Sequence, residues 1–263
     1  MTDEPAGDGV CHRPFGLFME RKCRNLTNCG REGRFFAQAE HFRLSTDSVL
    51  LADFANINGA KRGIDLGCAS GIAALLLLCR AEKLHMTGLE IVPAAAELAR
   101  ENMERNGLGG RSEMLCGDIR DHRSLFRTGS FDLVAANPPY FPLGSGALSP
   151  DRDRAGARGE TSCTLEDVCA AAAYLCRTGG SFCMVYRPER LTDALCCMRA
   201  SSLEPKRLRF VCHRADSAPS LVLIEGRRGG RPGLTVEKSL VLREPDGSET
   251  DEVMRIYHRG GAE

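Results

Sequence analysis

The sequence lacks tryptophan, net charge and any long hydrophobic run. Lysine plus arginine and aspartate plus glutamate number 35 each in 263 residues, so any surface for nucleic acid or membrane must be a local patch. The longest apolar stretch, residues 72–79, is far too short to span a bilayer, and residues 1–10 lack the apolar core of a secretory signal. We therefore expect a cytoplasmic protein that does not insert into a membrane.

The thirteen cysteines contain no C-x-x-C pair, and their odd number excludes complete internal pairing. In a cytoplasmic protein such cysteines are reduced and act as small apolar core residues. Cys11, Cys23 and Cys29 could hold zinc together with a histidine, but their spacing is irregular. We expect no metal site.

From residue 62 onward, short apolar runs alternate with segments of helical spacing. Such alternation predicts an α/β fold, with a parallel sheet covered by helices on both faces. Near the end, residues 207–213 and 220–225 predict an antiparallel hairpin, which makes the sheet mixed. The other predicted strands are residues 63–66, 86–91, 111–116, 131–136 and 180–186, and the predicted helices are residues 72–80, 94–105, 165–176 and 189–200.

The length suits one large domain with a short N-terminal extension. Residues 1–32 are polar and show no periodicity, so we expect a weakly structured segment there. The domain then covers residues 33–263. It opens with a hairpin of residues 33–37 and 41–44, followed by a helix capped within residues 45–47.

The most informative stretch is Asn137-Pro138-Pro139-Tyr140, which directly follows the apolar run 131–136. The prolines cannot donate to a sheet ladder, so they end the strand and leave an amide and an aromatic ring on a stiff turn. Ligands of open α/β sheets bind just outside the carboxyl ends of the strands. An amide, a carbonyl and a stacking ring at that place suit a flat molecule that carries an amino group.

Three acidic residues precede this turn, each at the end of a predicted strand. Asp65 opens the segment Asp65–Gly71, whose sequence DLGCASG fails the G-x-G-x-x-G fingerprint of nicotinamide-binding proteins. Glu90 is placed to accept hydrogen bonds from two ribose hydroxyls, or it is an acid that favours a helix N-terminus. Asp118 is placed to accept from an adenine amine, or it is a turn residue. Their succession in order before the turn favours a ligand site.

These motifs resemble the class I S-adenosylmethionine-dependent methyltransferases that methylate amino groups. DLGCASG resembles their D-x-G-x-G-x-G loop, with Ala69 in place of the middle glycine. The combination of FRLSTDSVLL at residues 42–51 with Asn-Pro-Pro-Tyr resembles, more closely, the bacterial tRNA1(Val) adenine-37 N6-methyltransferase family.

The resemblance implies a Rossmann-like fold, with a seven-stranded mixed sheet that ends in an antiparallel hairpin. It implies S-adenosylmethionine as cofactor and the anticodon loop of a tRNA as partner, with the enzyme a monomer or a homodimer. The implied catalytic residues are Asn137, Pro138, Pro139 and Tyr140, and the implied cofactor-binding residues are Thr46, Asp65, Gly67, Ala69, Gly71, Glu90, Ile91, Asp118, Ile119 and Asn137.

The exocyclic amine of adenine is a poor nucleophile, because its lone pair is delocalised into the ring. The Asn137 side-chain oxygen and the Pro138 carbonyl can accept its two N–H groups and aim the lone pair at the methyl donor. Tyr140 would stack on the base. Three local basic clusters fit an RNA partner or merely solvate the surface: Arg21, Lys22, Arg24, Arg31 and Arg34; Lys206, Arg207 and Arg209; and Arg227, Arg228 and Arg231.

Three alternatives share this motif or this fold. A protein-glutamine methyltransferase uses the same turn, but such enzymes carry a larger helical domain before the fold than the residues before 45 can provide. A ribosomal RNA guanine-N2 methyltransferase also uses it, often with a duplicated domain that is absent here. A non-catalytic adaptor of the same fold, which binds RNA or a partner, is disfavoured by the intact acids and Asn137.

Overall fold

The computed structural model describes residues 25–28, 35–38, 45–138 and 163–257. Within these residues none of the helices is long and apolar enough to cross a membrane. The strands are β1 (Asn25–Asn28), β2 (Phe35–Gln38), β3 (Arg62–Leu66), β4 (His85–Glu90), β5 (Ser112–Cys116), β6 (Phe131–Ala136), β7 (Cys176–Tyr186), β8 (Leu203–Cys212), β9 (Pro219–Arg228), β10 (Thr235–Val236) and β11 (Leu240–Val241). The helices are α1 (Thr46–Phe54), α2 (Ile72–Arg80), α3 (Pro93–Arg105), α4 (His122–Leu125), α5 (Leu165–Leu175), α6 (Leu191–Ala200) and α7 (Asp251–Ile256).

One mixed sheet organises the molecule. Its main order is β5-β4-β3-β6-β7-β9-β8, and β10 and β11 both pair with β8. Strands β3 to β7 are mutually parallel, whereas β9 runs antiparallel to both β7 and β8. The predicted seven-stranded mixed sheet with a terminal antiparallel hairpin is confirmed, and the two short strands bring the sheet to nine strands among the described residues.

The sheet separates two apolar cores, one on each face. In β6, Leu133 and Ala135 pack with helices α1, α2 and α3, whereas Val134 and Ala136 pack with α5 and α6. Because both faces are covered, the strand is apolar at nearly every position instead of alternating. The continuous run that marked β6 in the sequence is therefore the consequence of this three-layer packing.

The main differences from the predicted elements lie near the N-terminus and at β7. Strand β2 pairs with β1, a contact that the sequence did not predict, and residues 41–44, the predicted hairpin partner, lie outside the described residues. Strand β1 also lies inside the segment predicted to be weakly structured; residues 1–24 and 29–32 of that segment are outside the described residues.

Strand β7 begins four residues earlier than predicted, and the Gly179-Gly180 pair lies inside the strand. The ladder with β6 changes register between the pairs Phe131–Cys176 and Leu133–Ser181, which marks a bulge. A Cβ atom at Gly180 would lie 2.9 Å from the Asp132 carbonyl oxygen, so the position requires glycine for a close backbone approach.

Candidate active site

The ladder register brings the predicted acids and Asn137 to the same edge of the sheet. Asp65 lies one residue before the end of β3, where it pairs with β4 at Gly88 and with β6 at Ala135. Glu90 is the last residue of β4, and Asn137 follows the last residue of β6. Because these strands are parallel, their carboxyl ends form one edge, which we call the catalytic edge.

The loop after β3 leaves an open space beside its backbone. Gly67 has a φ of 72°, and a Cβ atom added there would meet nothing within 4 Å. The amides of Gly67 and Cys68 both donate to the Leu89 carbonyl, at 2.8 and 3.2 Å, which ties the loop to the end of β4. The missing side chain at Gly67 therefore allows a ligand to approach the backbone closely.

Gly71, at the end of the loop, packs closely against α3. Its φ is 83°, and it caps the start of α2. A Cβ atom there would lie 3.1 Å from both Ala99 Cβ and Met103 Cε. Gly71 thus allows the loop and α3 to pack closely, and the structure assigns it to helix packing.

Ala69 adopts the left-handed conformation that glycine would adopt in the resembling loop, with a φ of 48°. An alanine in this region is strained by roughly 1–2 kcal/mol. Its amide donates to Glu90 Oε2 at 2.8 Å, which holds the residue in place. The alanine therefore keeps the backbone conformation expected for glycine, but its own backbone is strained.

Glu90 lies in the part of the catalytic edge formed by the ends of β3 and β4, which we call the donor half. Its Oε2 accepts from Ala69, and its Oε1 accepts from the Val92 amide at 2.9 Å. The carboxylate is buried, with 8% of the residue exposed. Since each carboxylate oxygen accepts about two hydrogen bonds, both oxygens retain capacity for a diol.

Asp65 is more deeply buried, with 2% exposed. Burial, then repulsion from the Glu90 carboxylate, raises the pKa of Asp65 to about 7, while a hydrogen bond from the Ala74 amide acts in the opposite direction. Near neutral pH this carboxyl group is therefore half protonated. A cationic group bound beside it would favour the charged form.

Asp118 caps the short 3-10 helix 119–121 that follows β5. It accepts from the Arg120 backbone amide at 2.9 Å and pairs with the Arg120 guanidinium, and the side-chain hydrogen bond lowers the pKa of Asp118. The turn interpretation is therefore correct for this residue, and a ligand amine would share the carboxylate with Arg120.

The two predicted isoleucines each follow one of the acids. Ile91, next to Glu90, is 50% exposed, and Ile119, next to Asp118, is half-buried.

Asn137 is joined to α1 by a contact that the sequence did not reveal. Its Nδ2 donates to Ser48 Oγ at 3.3 Å, and Ser48 Oγ also accepts from Ser45 Oγ at 3.0 Å. Ser45 in turn caps α1 by accepting from the Ser48 amide at 3.2 Å. This hydrogen bond from Nδ2 to Ser48 fixes the orientation of the Asn137 carboxamide.

The structure describes only some of the remaining predicted residues. Pro138 is buried directly after Asn137, whereas Pro139 and Tyr140 lie outside the described residues. Thr46 is the exposed first residue of α1, two positions before Ser48. The zinc candidates Cys11, Cys23 and Cys29 also lie outside the described residues.

Two residues that contact the candidate site were not predicted from the sequence. Ser48 contacts Asn137 across 89 positions of sequence, and no local pattern signals that pairing. Asn102, fully buried on α3, donates to the Ser70 carbonyl at 3.0 Å and so fixes the loop between Asp65 and α2. A polar residue at a helix position that should be apolar was the available signal for Asn102.

Comparisons with known proteins point to one class of protein, the methyltransferases. Residues 57–220 match the family described as a methyltransferase domain. A Porphyromonas gingivalis protein is 33% identical over 191 residues, which cover 70% of this chain and 74% of that protein. A Serratia proteamaculans protein is 32% identical over 217 residues, which cover 81% of each chain. Both are named tRNA1(Val) (adenine(37)-N6)-methyltransferase.

Among solved structures, one neighbour is a predicted O-methyltransferase from Agrobacterium tumefaciens. It superposes with a TM-score of 0.65 at 22% identity and covers 81% of this chain and 96% of its own. A geranyl diphosphate methyltransferase superposes with a TM-score of 0.51 at 15% identity, covering 69% of this chain and 77% of its own. At these identities the likeness concerns the fold alone.

Proposed function

The chain belongs to the tRNA1(Val) (adenine(37)-N6)-methyltransferase family, and from that premise we propose that it methylates the exocyclic amine of adenine 37 in a valine tRNA. The proposed methyl donor is S-adenosylmethionine. A tRNA substrate also places the proposed activity in the cytoplasm.

The observation that carries the proposal is the position of Asn137 at the catalytic edge, with its amide held by Ser48. In the proposal, Asn137 Oδ1 and the Pro138 carbonyl oxygen each accept one N–H of the adenine amine. These two hydrogen bonds favour a pyramidal nitrogen, whose lone pair then becomes available. The orientation of the two reactants supplies much of the rate, and proximity alone can contribute about 7–11 kcal/mol.

The residues on the other half of the edge fit the proposed donor. The open space at Gly67 allows the donor to lie against the loop backbone. Glu90 can still accept hydrogen bonds from the ribose diol of the donor. The carboxyl group of Asp65 suits the ammonium group of the donor. When bound, the donor supplies an electrophilic methyl group on a sulfonium. The chain's own contribution is to orient it through these side chains and through the backbone of the loop.

The proton chemistry of the proposal is simple. An adenine amine becomes acidic once it is methylated, so the reaction requires no strong general base, and the proton can leave to solvent. Unpaired bases of an anticodon loop are accessible without opening a duplex, which suits an enzyme that must enclose the base. Stacking by Tyr140 is part of the proposal and lies outside the described residues.

The test is transfer from methyl-labelled donor to two acceptors, unmodified bulk tRNA and a peptide-chain release factor. We expect label on the tRNA and none on the protein. Label on the release factor alone would instead support the protein-glutamine alternative and reject the RNA assignment.

The same assay tests Asn137 directly. Asn137→Ala should lower the transfer rate by roughly 1,000-fold or more, because it removes one of the two acceptors that orient the amine. Equilibrium binding of the donor should change by less than about threefold, since the donor half of the edge is intact. A transfer rate close to that of the unaltered protein would refute the role given to Asn137.

A further inference from the structure

The predicted basic clusters take different roles in the structure. Arg207 donates to the Phe54 carbonyl at 2.9 Å and pairs with Glu237, and Arg209 pairs with Glu252 at 2.8 Å. The side chains of Arg207 and Arg209 are only 29% and 15% exposed, so these contacts favour a structural role for them over RNA binding. The N-terminal cluster lies outside the described residues.

The third cluster belongs to a larger basic surface at the edge of the sheet opposite the catalytic edge. This edge is formed by the starts of β3, β6 and β7 and by the end of the antiparallel strand β9. We call it the basic edge and define it by Lys61, Arg62, Arg127, Arg177, Arg227 and Arg228.

The ladder shows that these residues are neighbours. The amides of Lys61 and Arg62 both donate to Asp132 Oδ2, at 2.9 and 3.0 Å, and Asp132 Oδ1 pairs with Arg177. Arg227 lies opposite Ser181 of β7. The basic residues thus follow one another from β3 through β6 and β7 to β9.

Arg127 and Arg228 join the same row. The Gly129 amide donates to the Tyr174 carbonyl at 2.8 Å, which brings the loop that carries Arg127 to the start of β7. Arg228 lies opposite Leu203, the first residue of β8.

The cations outnumber the acids beside them, and these acids are already paired. Asp132 accepts two backbone amides and one guanidinium, and Glu204 pairs with Arg199 at 3.2 Å. Most of the edge is exposed, including Lys61, Arg62, Arg127, Arg177 and Arg227. In a chain whose formal net charge is zero, such segregation produces a local positive field that attracts a polyanion.

We propose that the basic edge binds the phosphate backbone of the tRNA body, remote from the base that is methylated. The geometry requires a large partner, since six-residue strands separate the two edges by roughly 20 Å and a path around a covering helix adds about 10 Å. A double-stranded-RNA-binding domain contacts RNA over about 16 base pairs, so one protein domain can bind an RNA along a comparable length. Because it assumes a tRNA substrate, this inference rests on the proposed function.

The test compares Arg177→Gln/Arg227→Gln with a control of equal charge change, Arg105→Gln/Arg255→Gln, on exposed helix positions of α3 and α7. KM and kcat are measured on full-length unmodified tRNA and on a minimal anticodon stem-loop with the same target base. Melting temperature and donor affinity are measured for each variant to establish that it is folded.

We expect the basic-edge variant to raise KM for full-length tRNA by about tenfold without changing kcat, and to leave KM for the stem-loop within about twofold. The slope of log KM against the logarithm of the salt concentration should decrease by about 2, because each lost phosphate contact lowers the slope by about 1. The control should match the unaltered protein on both RNAs.

Two outcomes would overturn the inference while leaving the proposed function intact. One is an unchanged KM for full-length tRNA, and the other is an equal rise of KM on the stem-loop. If the unaltered protein methylates neither RNA, the proposed function itself fails, and the inference fails with it.

Discussion

The two halves of the catalytic edge are built in different ways. On the donor half, the buried Glu90 carboxylate accepts one backbone amide from Ala69 in the loop before α2 and one from Val92 after β4. On the acceptor half, Asn137 is oriented by a side-chain contact with Ser48 on α1, an element outside the sheet. The donor half is therefore preformed by the sheet itself, whereas the acceptor half depends on how α1 is docked.

The docking of α1 is correspondingly strong. Its C-terminal carbonyl groups receive two arginines: Arg80 donates to Ala55 at 3.2 Å, and Arg207 donates to Phe54 at 2.9 Å. The Arg207 guanidinium also lies 4.3 Å from the centroid of the Phe54 ring. A helix held at its end by two cations can keep Ser48 at a constant position, which is what the orientation of Asn137 requires.

The largest effect on the donor half is expected from Asp65→Asn. The variant should weaken donor binding by about 100-fold, because a neutral amide would replace the carboxylate that we propose to face the ammonium group of the methyl donor. It should also raise the unfolding free energy of the ligand-free protein at pH 8, by up to about 4 kcal/mol, since a strongly raised pKa reflects the cost of a buried charge. Calorimetric titration measures the donor affinity, and denaturant unfolding measures the free energy of unfolding. A loss of both affinity and stability would show that Asp65 is structural instead.

The pH dependence of the unaltered protein sharpens the same point. The folded pKa of Asp65, about 7, lies above its ordinary value of 3.8, so the folded state holds the proton more tightly than the unfolded state does. The contribution of Asp65 to stability should therefore fall as pH rises from about 4 to about 7. Over the upper part of that window, from pH 5.5 to pH 7, donor affinity should rise roughly tenfold, because the ionised fraction rises. Asp65→Asn should abolish both trends, and their persistence in the variant would assign them to another group.

On the acceptor half, Ser48→Ala should lower kcat about fivefold and leave donor affinity unchanged. The expected size follows from the loss of one neutral hydrogen bond, which is worth about 1 kcal/mol. Ser48→Thr keeps the hydroxyl group and should recover most of the rate. If alanine and threonine variants lose activity equally, the serine acts through packing and not through its hydrogen bond to Asn137.

The smallest effect is expected from Ala69→Gly. Glycine relieves the strain of the left-handed conformation but adds entropy to the unfolded chain, and the two terms nearly cancel at about 1 kcal/mol each. Donor affinity and melting temperature should both remain close to those of the unaltered protein, with less than a threefold change in affinity. A tenfold gain in affinity would instead mean that the Ala69 methyl group obstructs the site.

The sequence was most informative where local chemistry determines position. The apolar run of β6, the prolines that end it and the acids at successive strand ends all follow from local patterns, and the parallel sheet then brings them to one edge. Long-range contacts were not predictable in this way. The pairing of Ser48 with Asn137 and the burial of Arg207 against Phe54 depend on how distant segments pack, and Arg207 was accordingly mistaken for a surface cation.

The start of β7 shows a second limit. Two consecutive glycines usually mark a turn, but Gly180 lies in a bulge whose close contact with the Asp132 carbonyl exists only in the paired sheet. On the donor half, the sequence did not reveal that Asp118 pairs with Arg120 or that Gly71 packs against α3.

The central claim is that the catalytic edge joins a methyl donor to an adenine amine of tRNA. Its most direct test is nucleoside analysis of valine tRNA from cells with the protein, without it, and with Asn137→Ala in its place. We expect N6-methyladenosine at position 37 only in cells with the unaltered protein. Identical nucleoside profiles in all three, or a loss of methylguanosine instead, would contradict it.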